Sequence, residues 1–181
     1  MLDLEKQRMQ REMENDQIAL VGDFKNIAER FCALVDSADQ SDRTTFLFQL
    51  YLILPELIRA AVSLPAVSYE SDPPENDFIS HPRVRMSDSE WTQLYGSLKR
   101  KLEPNDIYWI VPECWKSGES LMESLADDIA DIHRDLKGGL NEQDTRDMIF
   151  EWRCSFYSHW GSHAIGALKA VHELVAEHEM D

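Results

Sequence analysis

The feature that most constrains this chain is the segment 46–61. It carries apolar side chains at Phe46, Leu47, Leu50, Tyr51, Ile53, Leu54, Leu57, Ile58 and Ala61, so a helix built from it is apolar around most of its circumference. Such a helix needs neighbours on nearly every side. That predicts a helical bundle with this segment and a long C-terminal helix at its centre. Asp42 or Ser41 stands where an N-cap belongs. Pro55 falls inside the run, removes one backbone donor and disfavours helical geometry at Leu54, which predicts a kink or two short helices. The most apolar part, 46–54, is interrupted by Gln49 and too short to span a bilayer.

Other stretches supply the neighbours. From Ile18, apolar residues recur at Leu20, Phe24, Ile27, Phe31 and Leu34, a helical stripe ending near Ala38. Ser87 and Glu90 form a capping box, stapled by Met86 and Trp91, and open a helix that buries Trp91, Leu94, Leu98 and Leu102 before Pro104 ends it. The sequence D-I-Y-W-I-V-P-E-C-W at 106–115 is too short and aromatic for an amphipathic helix; it reads as an extended segment with no obvious partner. Ser120 then caps a helix with Met122, Leu125, Ile129, Ile132 and Leu136 as its stripe and Gly138-Gly139 as its stop. The last helical region, from about 143 to 177, buries Ile149, Trp152, Phe156, Trp160, His163, Ala167, Val171 and Leu174, with Gly161 and Gly166 bending it or admitting a close neighbour.

Two stretches stand outside this pattern. Residues 1–16 are charge-rich, with Leu4, Met9 and Met13 scattered among them, and read as a frayed or weakly docked helical lead-in. Residues 65–86 hold Pro65, Pro73, Pro74 and Pro82 and form one long connection. The expected architecture is therefore all-α: residues 17–181 as a single-domain bundle of five or six mostly antiparallel helices with one long Pro-containing connection.

Charge narrows the functions. The 34 acidic and 18 basic residues leave a formal net charge of −16, which repels phosphate backbones and anionic bilayers. Neither nucleic acid nor membrane is expected as a partner, and the basic cluster Arg83, Arg85, Lys99, Arg100 and Lys101 reads as solvated side chains. Cys32, Cys114 and Cys154 lie far apart with no C-x-x-C pair, which argues against a disulfide framework or thiolate zinc site. Glu113 beside Cys114 raises a thiol pKa, so a catalytic cysteine is not expected there. With no apolar h-region between Met1 and Gln17, the expectation is a cytoplasmic protein. No phosphate loop or nucleophile elbow occurs, and no cofactor is called for.

Two constellations can carry chemistry. On the helix S-L-A-D-D-I-A-D-I-H-R-D-L-K, Asp128, Asp131 and Asp135 form a row along the edge of the buried stripe, with Arg134 further out. Such a row suits a hard cation or a cationic partner, although carboxylates on a helix flank commonly pair with basic neighbours. In His159-Trp160-Gly161-Ser162-His163, two imidazoles four residues apart share one helix face and can reach one metal. Asp128 or Asp131 can complete that set if the two helices pack together, yet the motif lacks the central Glu of H-E-x-x-H.

Four motifs carry a resemblance: F-C-A-L-V at 31–35, L-P-E-L with A-x-x-L-P at 54–65, the acidic stretch at 124–137, and S-F-Y-S-H-W-G-S-H-A-I-G-A-L-K-A-V-H at 155–172. Together, over residues 17–176, they resemble an uncharacterised bacterial family, the domain of unknown function numbered five thousand and sixty-three. The resemblance implies an all-helical domain and no particular activity. It also implies that the aspartates and Trp160-Gly161 are shared with relatives, that relatives carry Tyr where this chain has His133, and that His159 and His163 lie outside the fixed pattern. The leading expectation is a non-enzymatic binding or adaptor module that meets a protein or small cationic partner through Asp128, Asp131, Asp135, Arg134 and Trp160. The alternative is a metal-dependent hydrolase, or a metal- or ligand-binding bundle, that uses His159, His163 and Asp128.

Overall fold

A computed structural model describes residues 2–67, 86–111 and 118–179. The elements run α1 (Leu2–Asp36), a 3-10 turn (Ala38–Gln40), α2 (Arg43–Val62), α3 (Asp88–Leu102), β1 (Ile107–Ile110), β2 (Leu121–Ser124), α4 (Leu125–Leu140), α5 (Thr145–Ser155), a π-helical turn (Phe156–Trp160) and α6 (Gly161–Glu179). Since α5, the π turn and α6 follow without a break, the described residues form five helical rods and one two-stranded ribbon. The fold is all-α, as expected. Most of the Pro-containing connection and the segment around Cys114 lie outside the described residues.

Local signals account for the helix starts. Asp42 accepts the Thr45 amide at 2.9 Å, and Ser87 with Glu90 completes the capping box. Asp144 accepts the amides of Arg146 and Asp147. Helix α1 extends back through the charged lead-in to Leu2, but every side chain from Met13 to Leu20 is exposed, and among the described side chains the first buried one is Val21. Its inward stripe is Val21, Phe24, Ile27, Ala28, Phe31, Cys32 and Val35. Leu20 is exposed and Leu34 half-buried, so both flank this stripe rather than lie in it.

Three expectations change. Of the kink or two short helices expected at Pro55, the second falls, since Pro55 sits inside one uninterrupted 20-residue helix. Helix α2 is not enclosed either: Phe48, Leu52, Val62 and neighbouring Ile165 on α6 are exposed. By length and composition α2 would suffice to cross a bilayer, yet eight of its residues, Phe46 to Ala61, are buried in the core. The centre of the bundle is α4, which packs on α1, α3, α5 and α6, whereas α2 packs on α1 and α6. Apolar counting misses this because α4 buries Asp128, Asp131 and His133 along with its apolar face.

The extended segment does have a partner. β1 pairs antiparallel with β2, Ile107 opposite Ser124 and Ile110 opposite Leu121. β2 takes residues assigned above to the acidic helix, so Met122 is exposed and the cap is Ser124, whose Oγ accepts the Asp127 amide. Asp106 locks this junction. Buried before β1, it accepts Ser124 Oγ–H and the Ala126 amide (2.8 Å), while its carbonyl accepts the Leu125 amide.

Behind α4 lies an aromatic core. Trp152 and Trp160 are fully buried, with Phe24 against Trp152 at 4.8 Å and Phe156 edge-on to Trp160 at 4.7 Å. Each such ring contributes about 2–3 kcal/mol through burial. The indole N–H groups are satisfied by the carbonyls of Leu136 and Trp152, as buried donors must be. Gly139 lies under the Trp152 ring. It is a close-approach position inside α4, which runs on to Leu140, and not the helix stop expected of it.

Candidate metal centre

Helices α4 and α6 pack face to face, and the π turn sets the phase in which α6 arrives. Within that turn the Gly161 amide reaches back five residues to the Phe156 carbonyl. A Cβ on Gly161 would run into that carbonyl, so glycine permits the turn. Turns of this kind often occur at functional sites. Here the turn brings His159 and His163 over the acidic row.

The row and the two imidazoles interlock. His159 Nδ1 is 2.7 Å from Asp135 Oδ2, and His163 Nδ1 is 2.7 Å from Asp128 Oδ1. A carboxylate only accepts, so each Nδ1 carries a proton and donates it. In the neutral ring Nε2 is then a bare lone pair. Both Nε2 atoms face one oxygen, Asp131 Oδ2, at 3.6 Å from His159 and 3.7 Å from His163. These distances are too long for hydrogen bonds. The three ligand atoms lie within 4.8 Å of one another, and the imidazoles sit edge to face with centroids 4.8 Å apart.

Asp131 is held for this position. Its Oδ1 accepts Trp91 Nε1–H at 2.8 Å and an Arg134 N–H at 2.8 Å, which leaves Oδ2 towards the histidines. Arg134 also lies over the Trp91 ring, 5.7 Å from its centroid. Asp128 is equally fixed, with Oδ2 accepting the Tyr108 hydroxyl at 2.5 Å. Asp128 and Asp131 are only 2% and 8% exposed, whereas the His159 and His163 side chains keep 38% and 21% of their surface. The convergence point is thus backed by buried carboxylates and open to water on one side.

Electrostatics follow this geometry. Hydrogen bonding to Asp128 raises the His163 pKa despite burial, with Asp131 and Asp127 adding to the shift. Burial, and then the carboxylates of Asp131 and Asp128, raises that of Asp127. The Tyr108 hydroxyl is pushed up by burial and by its bond to Asp128. Elsewhere, burial pushes the Cys32 thiol up to about 12, which leaves it inert at neutral pH. Cys154 is free and exposed; Cys114 lies outside the described residues.

The structure brings together Asp128, Asp131, Asp135, His159 and His163, but in roles other than those expected. Of the two aspartates that could complete the set with the histidines, Asp131 is the one whose oxygen faces both Nε2 atoms; Asp128 supports His163 from behind. Trp160 is core and has no surface to offer a partner. Arg134 orients Asp131. Trp91 and Tyr108 join the site from α3 and β1. The alternation of I-Y-W-I does place Tyr108 on the face opposite Trp109, but nothing local pairs it with Asp128.

Against known proteins, the model of the family described as domain of unknown function (DUF5063) matches residues 15–177. Among solved structures, protein BF1032 from Bacteroides fragilis superposes with a TM-score of 0.69 at 24% identity, covering 86% of this chain and 91% of that one. That likeness is one of fold. No functionally curated protein matches the chain.

Proposed function

We propose that this chain, which belongs to that family, binds a divalent first-row transition metal through Asp131 Oδ2, His159 Nε2 and His163 Nε2, and keeps an open coordination position for a water or ligand. One observation carries the reading: two imidazole lone pairs and a carboxylate oxygen, all acceptors, converge at 3.6 and 3.7 Å. Two ligands on a tetrahedral cation with bonds near 2.1 Å stand about 3.4 Å apart. Mixed imidazole and carboxylate donors favour zinc, iron or manganese over calcium or magnesium. Both histidines also have the carboxylate partner on Nδ1 that metal-binding histidines usually possess.

Three protein ligands with one open side make up a catalytic rather than a structural site. A water bound there would be acidified towards neutral pH, and metal-assisted hydrolysis is the reaction such a centre supports. Docking of a protein partner on the acidic flank has less behind it. Asp128 and Asp131 are buried and bonded within the chain, Trp160 is in the core, and only Asp135 and Arg134 offer surface.

Protein purified without an affinity tag and analysed for metals should contain close to one transition ion per chain. Adding zinc, manganese or iron(II) to stripped protein at about 100 times its Kd should stabilise it by about 2.7 kcal/mol. For a domain of this size that is roughly 5–10 °C in Tm. His163→Ala should abolish both effects. Sub-stoichiometric metal together with no thermal shift would overturn the reading.

A further inference from the structure

We infer that Tyr108, which lies on the ribbon and outside the α4–α6 groove, is a positioning residue for the metal centre and acts by locking Asp128 behind His163. The inference rests on the metal-binding reading. Asp128 has two carboxylate oxygens and both are in use, Oδ1 with His163 Nδ1 at 2.7 Å and Oδ2 with the Tyr108 hydroxyl at 2.5 Å. At 2% exposure no water can stand in for either donor. Without the hydroxyl, Oδ2 becomes a buried, unpaired acceptor, a state costly enough that the carboxylate turns to find another donor. His163 is then free to rotate, and its Nε2 no longer points at Asp131 Oδ2.

A second element is shaped for the same contact. The Tyr108 hydroxyl rests on Gly166 of α6, and a Cβ at that position would collide with it. A glycine on one helix and a tyrosine on a strand therefore both serve one oxygen of Asp128. The other histidine has no such lock. Its partner Asp135 is half-buried and makes no second hydrogen bond among the described contacts. The two ligands are unequal: His163 is fixed from behind through two residues, and His159 through one.

Cobalt(II) alone is the probe, because its visible spectrum reports coordination geometry. Titration of stripped wild type, Tyr108→Phe, Gly166→Ala and, as a control, Tyr51→Phe gives Kd and spectrum together. Tyr51 also places its hydroxyl on a histidine nitrogen, His172 Nδ1 at 3.1 Å, but away from the centre. Tyr108→Phe and Gly166→Ala should each weaken cobalt binding by about 10- to 100-fold, the usual effect of losing an outer-shell partner, and alter the band shape. Tyr51→Phe should match wild type. With Asp128→Asn as background, adding Tyr108→Phe should change little further. Wild-type Kd and spectrum in folded Tyr108→Phe would overturn this inference and leave the metal site standing. Failure of the wild type to bind cobalt would overturn both. Thermal melts establish folding, and Tyr108→Phe, which keeps the ring, decides the matter if Gly166→Ala does not fold.

Discussion

Neighbouring glycines at 138 and 139 should respond to alanine with opposite signs. Both lie within α4, and neither adopts a positive φ, so backbone strain plays no part. At Gly138 the nearest atom to a new Cβ is Glu151 Oε1 at 3.9 Å, ordinary contact. Gly138→Ala should therefore show only the helix-propensity gain, about 0.5–1 kcal/mol. At Gly139 the Cβ would lie inside the indole of Trp152. That ring is fully buried, donates to the Leu136 carbonyl at 3.1 Å and packs on Phe24. Either the indole retreats, breaking that bond and displacing Phe24, or α5 moves off α4. Overpacking costs about 1–3 kcal/mol and the stranded N–H about 1 kcal/mol more, against about 1 kcal/mol gained in propensity. The net loss is about 1–3 kcal/mol. It also bears on the proposed metal site, since α5 leads through the π turn to His159 and His163 over Asp131. Urea unfolding of both variants beside wild type measures the two signs. A Gly139→Ala midpoint at or above wild type, or a shift of both variants in one direction, refutes the packing reasoning.

Two further outcomes follow from buried polar groups. Asp106→Ala should destabilise by about 2–3 kcal/mol, because it strands the Ala126 amide at a buried helix start; a loss below 0.5 kcal/mol in urea (roughly the value of a surface change) would show that another acceptor replaces it. His133 is buried with Nε2 on Asp36, and burial holds its pKa below the ordinary value, with Lys137 adding to the depression and Asp36 opposing it. Below about pH 6.5 the unfolded chain takes up a proton that this ring refuses, so its contribution to stability falls as pH is lowered. Comparing unfolding midpoints at pH 7.5 and 5.5, His133→Phe should lose less stability on acidification than wild type; an equal or larger loss counts against the assignment.

What could be read from the chain was local. The caps at Asp42 and Ser87 involve residues three apart, and the stripes of α3 and the C-terminal rod repeat at helical spacing, so each announces itself within a few turns. What escaped was set by partners distant in sequence. Ser124 rather than Ser120 begins α4 because β1, pairing from Ile110 with Leu121 to Ile107 with Ser124, claims 121–124 as a strand. Spacing put Asp131 at the edge of the buried stripe, and the indole of Trp91 on α3 covers it. The apolar girth of α2 pointed to the centre, but helix count and order do not say which helix receives the most neighbours. The same limit applied at the site. Spacing supplied two histidines on one face and three aspartates on another; Gly161 hinted at a bend, but not at the π turn that directs both Nε2 atoms towards Asp131.

The acidity of this chain takes on a specific meaning at α4. Asp127, Asp128, Asp131 and Asp135 crowd about two turns, and among the described residues Arg134 is the permanent cation bonded to that row. Trp91 and Tyr108 contribute dipoles but no charge. Four carboxylates against one guanidinium leave an excess of negative charge beside a buried face, where unit charges 4 Å apart interact by about 4 kcal/mol at an effective dielectric near 20. Burial first, and then the carboxylates of Asp131 and Asp128, raise the pKa of Asp127. Two remedies are available at the same place: a proton on His163, which its bond to Asp128 favours, or a divalent cation held by the imidazole lone pairs. Lysines in those positions would have neutralised the row permanently and closed the site. Imidazoles, with Nδ1 anchored and Nε2 directed at Asp131, keep the charge exchangeable, and that is the property a metal centre with an open position requires.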